Sequence, residues 1–221
     1  MSYSHYQTIH QSLSEYDITG SIFGLSFKYL SNPLGFEINY IPSYYWVDSK
    51  RYMMREQVKP QLTWNISPNL MTRVSWSYAG SDYFDNNDRD GDGTEFALDM
   101  YYTFKNGYVY AGIAYEKYTA TAEYESYRKS VAKSGLMLNL FKGINLELMG
   151  KYTDKPYADA HPYYRIERKD CQYYGSAILA KPVFYPWLSI GVELNHTRNQ
   201  SEIRDYDYTQ TLVGVSLTAT Y

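Results

Sequence analysis

The 221-residue chain has no apolar run close to the roughly 20 residues that a membrane-spanning helix needs, which excludes a helical membrane protein. It has one cysteine, Cys171, so no internal disulfide can form, and that thiol reads as a small packed side chain. Neither sign of charge is in large excess: 24 acidic and 21 basic residues leave a net charge of −3, which excludes a phosphate-driven nucleic-acid binder. The opening Met1-Ser2-Tyr3-Ser4-His5 has neither a charged n-region nor an apolar h-region. A signal peptide, and any periplasmic module N-terminal to the domain, are therefore expected to lie outside these residues.

Aromatic residues are abundant, with 28 Tyr and an aromatic share of 18%. Tyr joins an apolar ring to a hydrated hydroxyl, which suits sheet surfaces and membrane–water boundaries. The mean hydropathy of −0.52 is compatible with a membrane β-barrel, because every second residue of a barrel strand faces the lumen.

Period-two alternation repeats along the whole chain. Val213, Val215, Leu217, Ala219 and Tyr221 share one face of the last segment, opposite Leu212, Gly214, Ser216, Thr218 and Thr220. Leu188, Ile190, Val192 and Leu194 oppose Ser189, Gly191, Glu193 and Asn195, and Phe23, Leu25, Phe27 and Tyr29 oppose Gly24, Ser26 and Lys28. The pattern predicts about twelve strands, with ten as the lower reading, starting near residues 3, 18, 35, 54, 70, 94, 108, 128, 144, 166, 187 and 206. Alternate connections are short and rich in turn formers, such as Asn32-Pro33-Leu34-Gly35 and Lys105-Asn106-Gly107. The connections between them, Asp82–Gly93, Glu123–Tyr127 and Asp154–Glu167, are longer and polar. Short periplasmic turns and long extracellular loops describe a transmembrane antiparallel up-and-down β-barrel of the Gram-negative outer membrane, filling residues 1–221 as one domain. Trp64, Trp76, Tyr78, Tyr115 and Tyr152 would form its aromatic girdles. A soluble barrel or sandwich is the alternative, with the same apolar face as its core.

Four sets of residues are functional candidates. Glu37, Lys59, Arg73, Asp99, Glu116, Lys133, Glu147, Lys151 and Glu193 alternate onto the polar face and would line the lumen, tuning passage if it is open. Val213, Val215, Leu217, Ala219 and Tyr221 look like the terminal signal read by the outer-membrane insertion machinery. Asp88, Asp90 and Asp92, with Gly93 next and Asp99 at the twelfth position, have the spacing of a Ca²⁺ loop, although Asp99 replaces the usual Glu and a strand follows. No other cofactor is expected. His196, beside Asn195 and Thr197, is the histidine best placed to act as a base in a lipid-modifying enzyme, but no nucleophile motif accompanies it.

The stretch Asn195-His196-Thr197-Arg198-Asn199-Gln200-Ser201, then Tyr206-Asp207-Tyr208-Thr209 and the final Val213-Gly214-Val215-Ser216 strand, resembles the C-terminal barrels of outer-membrane proteins that carry periplasmic tetratricopeptide repeats. Asn87-Asp88-Arg89-Asp90-Gly91-Asp92 is similar to the same group. Its relatives include surface lipoprotein assembly modifiers and exopolysaccharide-export barrels. The resemblance implies a barrel at the end of a longer protein that works in export or surface assembly, and it brings no catalytic residues. This chain departs from the group's pattern in having no repeat helices.

The function expected from these features is a non-enzymatic conduit, a channel for export or passive passage of a solute, polymer or lipoprotein. The alternatives are a lipid-modifying enzyme and a plugged structural anchor for a periplasmic module. Outer-membrane lipid and lipopolysaccharide, the insertion machinery and a periplasmic repeat domain are the expected partners; nucleic acid is not.

Overall fold

A computed structural model describes residues 1–8, 17–183 and 185–219. The chain runs through β1 (Ser2–Thr8), β2 (Ile18–Ser31), β3 (Leu34–Val47), β4 (Lys50–Asn65), β5 (Leu70–Tyr83) and β6 (Gly91–Phe104). It continues through β7 (Gly107–Ala120), β8 (Tyr127–Asn139), β9 (Asn145–Ala160), β10 (Glu167–Val183), β11 (Tyr185–Ser201) and β12 (Tyr208–Ala219). Each strand pairs antiparallel with its sequence neighbours, giving one 12-stranded up-and-down sheet in which β1 and β12 are the outer members. The sheet curls tightly, so that Arg55 of β4, Glu116 of β7, Lys155 of β9 and Arg168 of β10 line one common cavity. Among the described residues no helix is long and apolar enough to cross a membrane; the crossing elements are strands.

Burial is inside out. Among the described residues the buried apolar side chains are Ala79 and Ile203, whereas Ser43, Ser75, Ser77, Ser81, Asp99, Glu116, Asp170 and Asn199 are all buried. The apolar face is the exposed one: Phe27 is 64% exposed, Ile113 60% and Val215 74%. A sandwich would bury that face at about 25 cal/mol per Å². Here it has no protein to cover it, and lipid is the solvent that satisfies it. The strand backbone meets the same solvent because its N–H and C=O groups are paired between neighbours. Outward rings lie beside one another across strands, with Trp76 opposite Phe96 and Phe96 opposite Tyr115, and Tyr152 opposite Tyr173.

Several strands begin away from the positions the alternation predicts, β6 at Gly91 rather than near 94 and β11 at Tyr185 rather than near 187. β4 begins at Lys50 rather than near 54, because Asp48 and Ser49 adopt positive φ of 48° and 61° and close a two-residue hairpin of the primed type. One connection on the long-loop side is thus as tight as a periplasmic turn. β12 begins at Tyr208 rather than near 206, because Arg204–Tyr206 forms a 3-10 turn. Similar turns occupy Asn87–Arg89 and Glu123–Glu125.

Candidate functional site: the charged lumen

The concave face carries the charged residues that alternate with the lipid-facing ones, and their packing differs along its height. Near the ends of the long connections, charged and tyrosyl side chains fill the interior. Glu116 forms an ion pair with Lys129, and Tyr127 Oη donates to Glu116 Oε1 at 3.0 Å. At mid-height, level with Arg73 and Lys151, Lys133 Nζ reaches Asp99 Oδ1 at 2.8 Å. It approaches off the hydrogen-bonding direction, so that oxygen is held by Coulomb attraction rather than an aligned bond. This pair crosses an entire strand, from β8 to β6 over β7, and can do so because position 112 is glycine. A Cβ at Gly112 would lie 2.0 Å from Asp99 Oδ1 and 2.8 Å from Lys133 Cε.

Arg168 forks onto Asp170, with Nε to Oδ1 at 3.1 Å and Nη2 to Oδ2 at 2.6 Å. Its guanidinium lies 3.4 Å from the Tyr206 ring centroid and 4.6 Å from that of Tyr157. Lys155 Nζ sits 3.8 Å from the Tyr127 ring and 4.8 Å from the Tyr157 ring. Cation–ring contacts of this kind strengthen where water is excluded. The connections fold inward to complete the layer. Arg89 donates to Tyr52 Oη at 3.1 Å and meets Glu125 at 3.4 Å, while Tyr118 Oη donates to the Arg89 carbonyl at 2.7 Å. Asn199 Nδ2 donates to the Tyr206 carbonyl at 2.7 Å, which pins the last loop over the lumen. Cavities of about 320 Å³ and 440 Å³ remain between these groups. Lys155 and Arg168 line both, and the Nε of Arg55, on the wall of the smaller one, is buried with no hydrogen-bond partner.

Toward the short turns the same face is open. Lys28 meets Glu37 at 3.2 Å, but its side chain is 54% exposed. At mid-height Arg73, opposite Asp99 and with its Nε buried without a hydrogen-bond partner, lies over the Tyr101 ring at 5.4 Å, within a group that includes Tyr108 and Tyr110. Glu193 Oε1 accepts from Asn195 Nδ2 at 2.5 Å, and Lys151, opposite Lys133 at mid-height, lies 5.3 Å from the Tyr174 ring. Among the described residues Lys59 and Glu147 have no ion-pair partner.

The remaining candidates are dispersed. The Ca²⁺ spacing does not produce a cage. Asp90 Oδ1 accepts from the Tyr83 backbone N–H at 2.6 Å, Asp88 Oδ2 accepts from Tyr124 Oη at 2.6 Å, and Asp92 accepts from the Tyr78 hydroxyl. Among the described residues no group of three or more potential ligands could hold a metal ion. The physical reason is that Asp88 lies on the 3-10 turn Asn87–Arg89, Asp90 caps it and Asp92 is already inside β6, which begins at Gly91, so the continuous curved loop that the spacing requires does not form. The hydrogen bond to Asp88 pushes the Tyr124 phenol up to about 12, and in the next loop a hydrogen bond to Asp205 pushes Tyr164 up to about 12. His196 is exposed on the convex face, opposite Gly175, with Nδ1 2.9 Å from Thr211 Oγ1. In the terminal strand Val213, Val215 and Leu217 are exposed in one apolar column. Ala219 closes β12, and Tyr221 lies outside the described residues.

Sequence reasoning missed Arg55, Lys129, Lys155, Arg168, Asp170 and Tyr206. Lys155 and Asp170 were within reach: Lys155 is four residues from Lys151 on the same face of β9, and Asp170 has the concave parity of β10.

The comparisons agree with this geometry. A family model described as surface lipoprotein assembly modifier matches residues 5–221. Among solved structures, a mutant of the ferric enterobactin receptor PfeA from Pseudomonas aeruginosa matches at 12% identity with a TM-score of 0.51, covering 97% of this chain and 40% of that one. The siderophore receptor PirA from the same organism matches at 12% identity with a TM-score of 0.48, covering 98% and 41%. This chain thus spans about 40% of the length of these receptors. At such identity the likeness to PfeA concerns the fold, a β-barrel of the outer membrane. No curated protein matches. The match over residues 5–221, together with the lipid-facing sheet and its polar interior, places this Gram-negative outer-membrane β-barrel in the surface lipoprotein assembly modifier family.

Proposed function

We propose that the chain is a non-enzymatic conduit whose lumen passes an extended segment of a surface lipoprotein or a similar polymer, and which is closed at its extracellular half when idle. The observation that carries this reading is the asymmetry of the lumen. The periplasmic half is a mixed-charge vestibule, and the extracellular half is filled by side chains and by loops held through side-chain contacts, such as Asn199 to Tyr206 and Arg168 to Tyr206. A loop held in this way can be displaced by cargo, whereas a permanent wall would need strand backbone across the lumen. The family supports a role in lipoprotein assembly; passage through the lumen is our extension of it. Insertion machinery reading the Val213, Val215 and Leu217 column, and a periplasmic module that delivers cargo, complete the proposal.

A plugged anchor is the second reading, favoured by the same filled half. Conductance across planar bilayers separates the two. The wild-type barrel is expected to give rare, small steps, and the Arg168→Ala, Tyr206→Ala double variant large and persistent ones. Closed behaviour in both would sink the conduit. Release of fatty acid from phospholipid vesicles by the purified barrel, lost on His196→Ala, would favour an enzyme instead.

A further inference from the structure

On the lipid-facing wall, Lys117 of β7 and Arg128 of β8 are direct cross-strand partners. Both are exposed and directed outward, each two residues beyond the girdle level at Tyr115 and Ser130 toward the extracellular end. Like charges directly opposite on one sheet face repel, and among the described residues neither cation has a hydrogen bond or ion pair. They line a cleft of about 730 Å³, walled on its far side by Pro156. Glu123 also lines it and forms an ion pair with neither. Below Arg128 the outward column of β8 continues as Ser130, Ala132 and Ser134. These small side chains leave troughs of about 710 Å³, against Tyr115 and Tyr152, and about 960 Å³, where Gly150 and Gly175 face outward. A Cβ at either glycine would meet nothing within 4 Å. The three hollows follow one another down a single strand, with two uncompensated cations at the top.

We propose that this groove along β8 binds a phosphorylated lipid of the outer leaflet, with the phosphate between Lys117 and Arg128 and an acyl chain in the trough below. A phosphate there would turn a repulsive pair into a bridged one, with charge-assisted contacts from both cations. An acyl chain, unlike a protein helix, fits a trough one side chain wide. The polarity also agrees, since head charge and apolar trough occur in the order in which a lipid presents them from the extracellular side. Such a lipid would brace β7–β9, the strands that carry Glu116, Lys129 and Lys155 on their opposite face.

The test uses the folded barrel in detergent micelles, titrated with diphosphoryl lipid A, its dephosphorylated form and inorganic phosphate, with heat-modifiable gel migration as the check on folding. Lys117→Gln with Arg128→Gln should weaken lipid A binding about tenfold or more, since a lost charged hydrogen bond is worth about 1.5 kcal/mol or more. Lys117→Arg with Arg128→Lys should retain it. Filling the trough by Ala132→Leu with Ser134→Leu should also weaken binding while the cations remain. Unchanged affinity in either the double-glutamine or the double-leucine variant overturns the proposal. So does inorganic phosphate binding as tightly as lipid A, which would mark a free-anion site, or equal binding of the dephosphorylated lipid.

Discussion

Toward the extracellular rim the Glu116 carboxylate takes both the Lys129 ammonium and the Tyr127 hydroxyl in a buried pocket, whereas toward the periplasmic turns Lys28, half exposed to water, meets Glu37 at 3.2 Å. Both are carboxylate–ammonium pairs between neighbouring strands, β7–β8 in one case and β2–β3 in the other, so residue class does not make the difference. What differs is reach. Connections such as 84–90 and 202–207 are long enough to turn inward, and they deliver Arg89 and Tyr206 to the lumen. Asn32-Pro33 and Asn106-Gly107 complete their hairpins with nothing to spare. A lumen of mixed charge is therefore closed by what its loops exclude, because an ion pair gains little until water is removed from around it, and loses much when one partner is then taken away.

Removing a carboxylate from the filled half should have the largest effect. Glu116→Ala leaves Lys129 and Tyr127 without their partner in a desolvated site, at a cost of about 3 kcal/mol. Urea titration of the barrel in micelles measures it, and a loss below about 0.5 kcal/mol, the range of ordinary surface changes, would show that this level is as wet as the periplasmic one. Gly112→Ala should come next, at about 2 kcal/mol. Its Cβ would occupy the space through which Lys133 reaches Asp99. Coupling gives the sharper readout: Lys133→Ala should cost little more once Gly112→Ala is present.

The strand set was legible in the sequence because two solvents, lipid and lumen water, impose opposite demands on alternate residues, and Phe23 to Tyr29 or Leu188 to Leu194 obey them without interruption. The pairings inside were less legible. Alternation put Asp99, Glu116 and Lys133 on the concave face but did not show that Asp99 pairs across Gly112, because register between strands is fixed by hairpin geometry rather than by periodicity. In the acidic loop, too, spacing did not show the path of the backbone. Its spacing fits a Ca²⁺ turn only while the backbone stays curved, and β6 takes over at Gly91. Arg89 and Tyr206 were invisible to a strand pattern because they sit on 3-10 turns outside it.

In the open half the expectation runs the other way. Lys59→Ala and Glu147→Ala should each leave stability within about 0.5 kcal/mol of wild type, since neither residue has an ion-pair partner to strand. A loss of several times that from either would mean the vestibule is as tightly packed as the rim, and the contrast between the halves would fail.

The smallest expected effect belongs to the loops alone, outside the membrane. Tyr124 donates to Asp88, and that hydrogen bond raises its phenol from the ordinary value of 10 to about 12. A raised value means that the folded chain keeps a proton the unfolded chain has begun to release. The stabilisation is therefore complete below pH 10 and is lost as pH rises from 10 toward 12. Tyr124→Phe removes this proton and nothing else that titrates, so the stability gap between wild type and variant should hold steady from neutral pH to about 10 and then narrow. A gap that is flat to pH 12 would show that water, not Asp88, holds the hydroxyl. The extracellular loops would then be less ordered than the filled lumen beneath them requires.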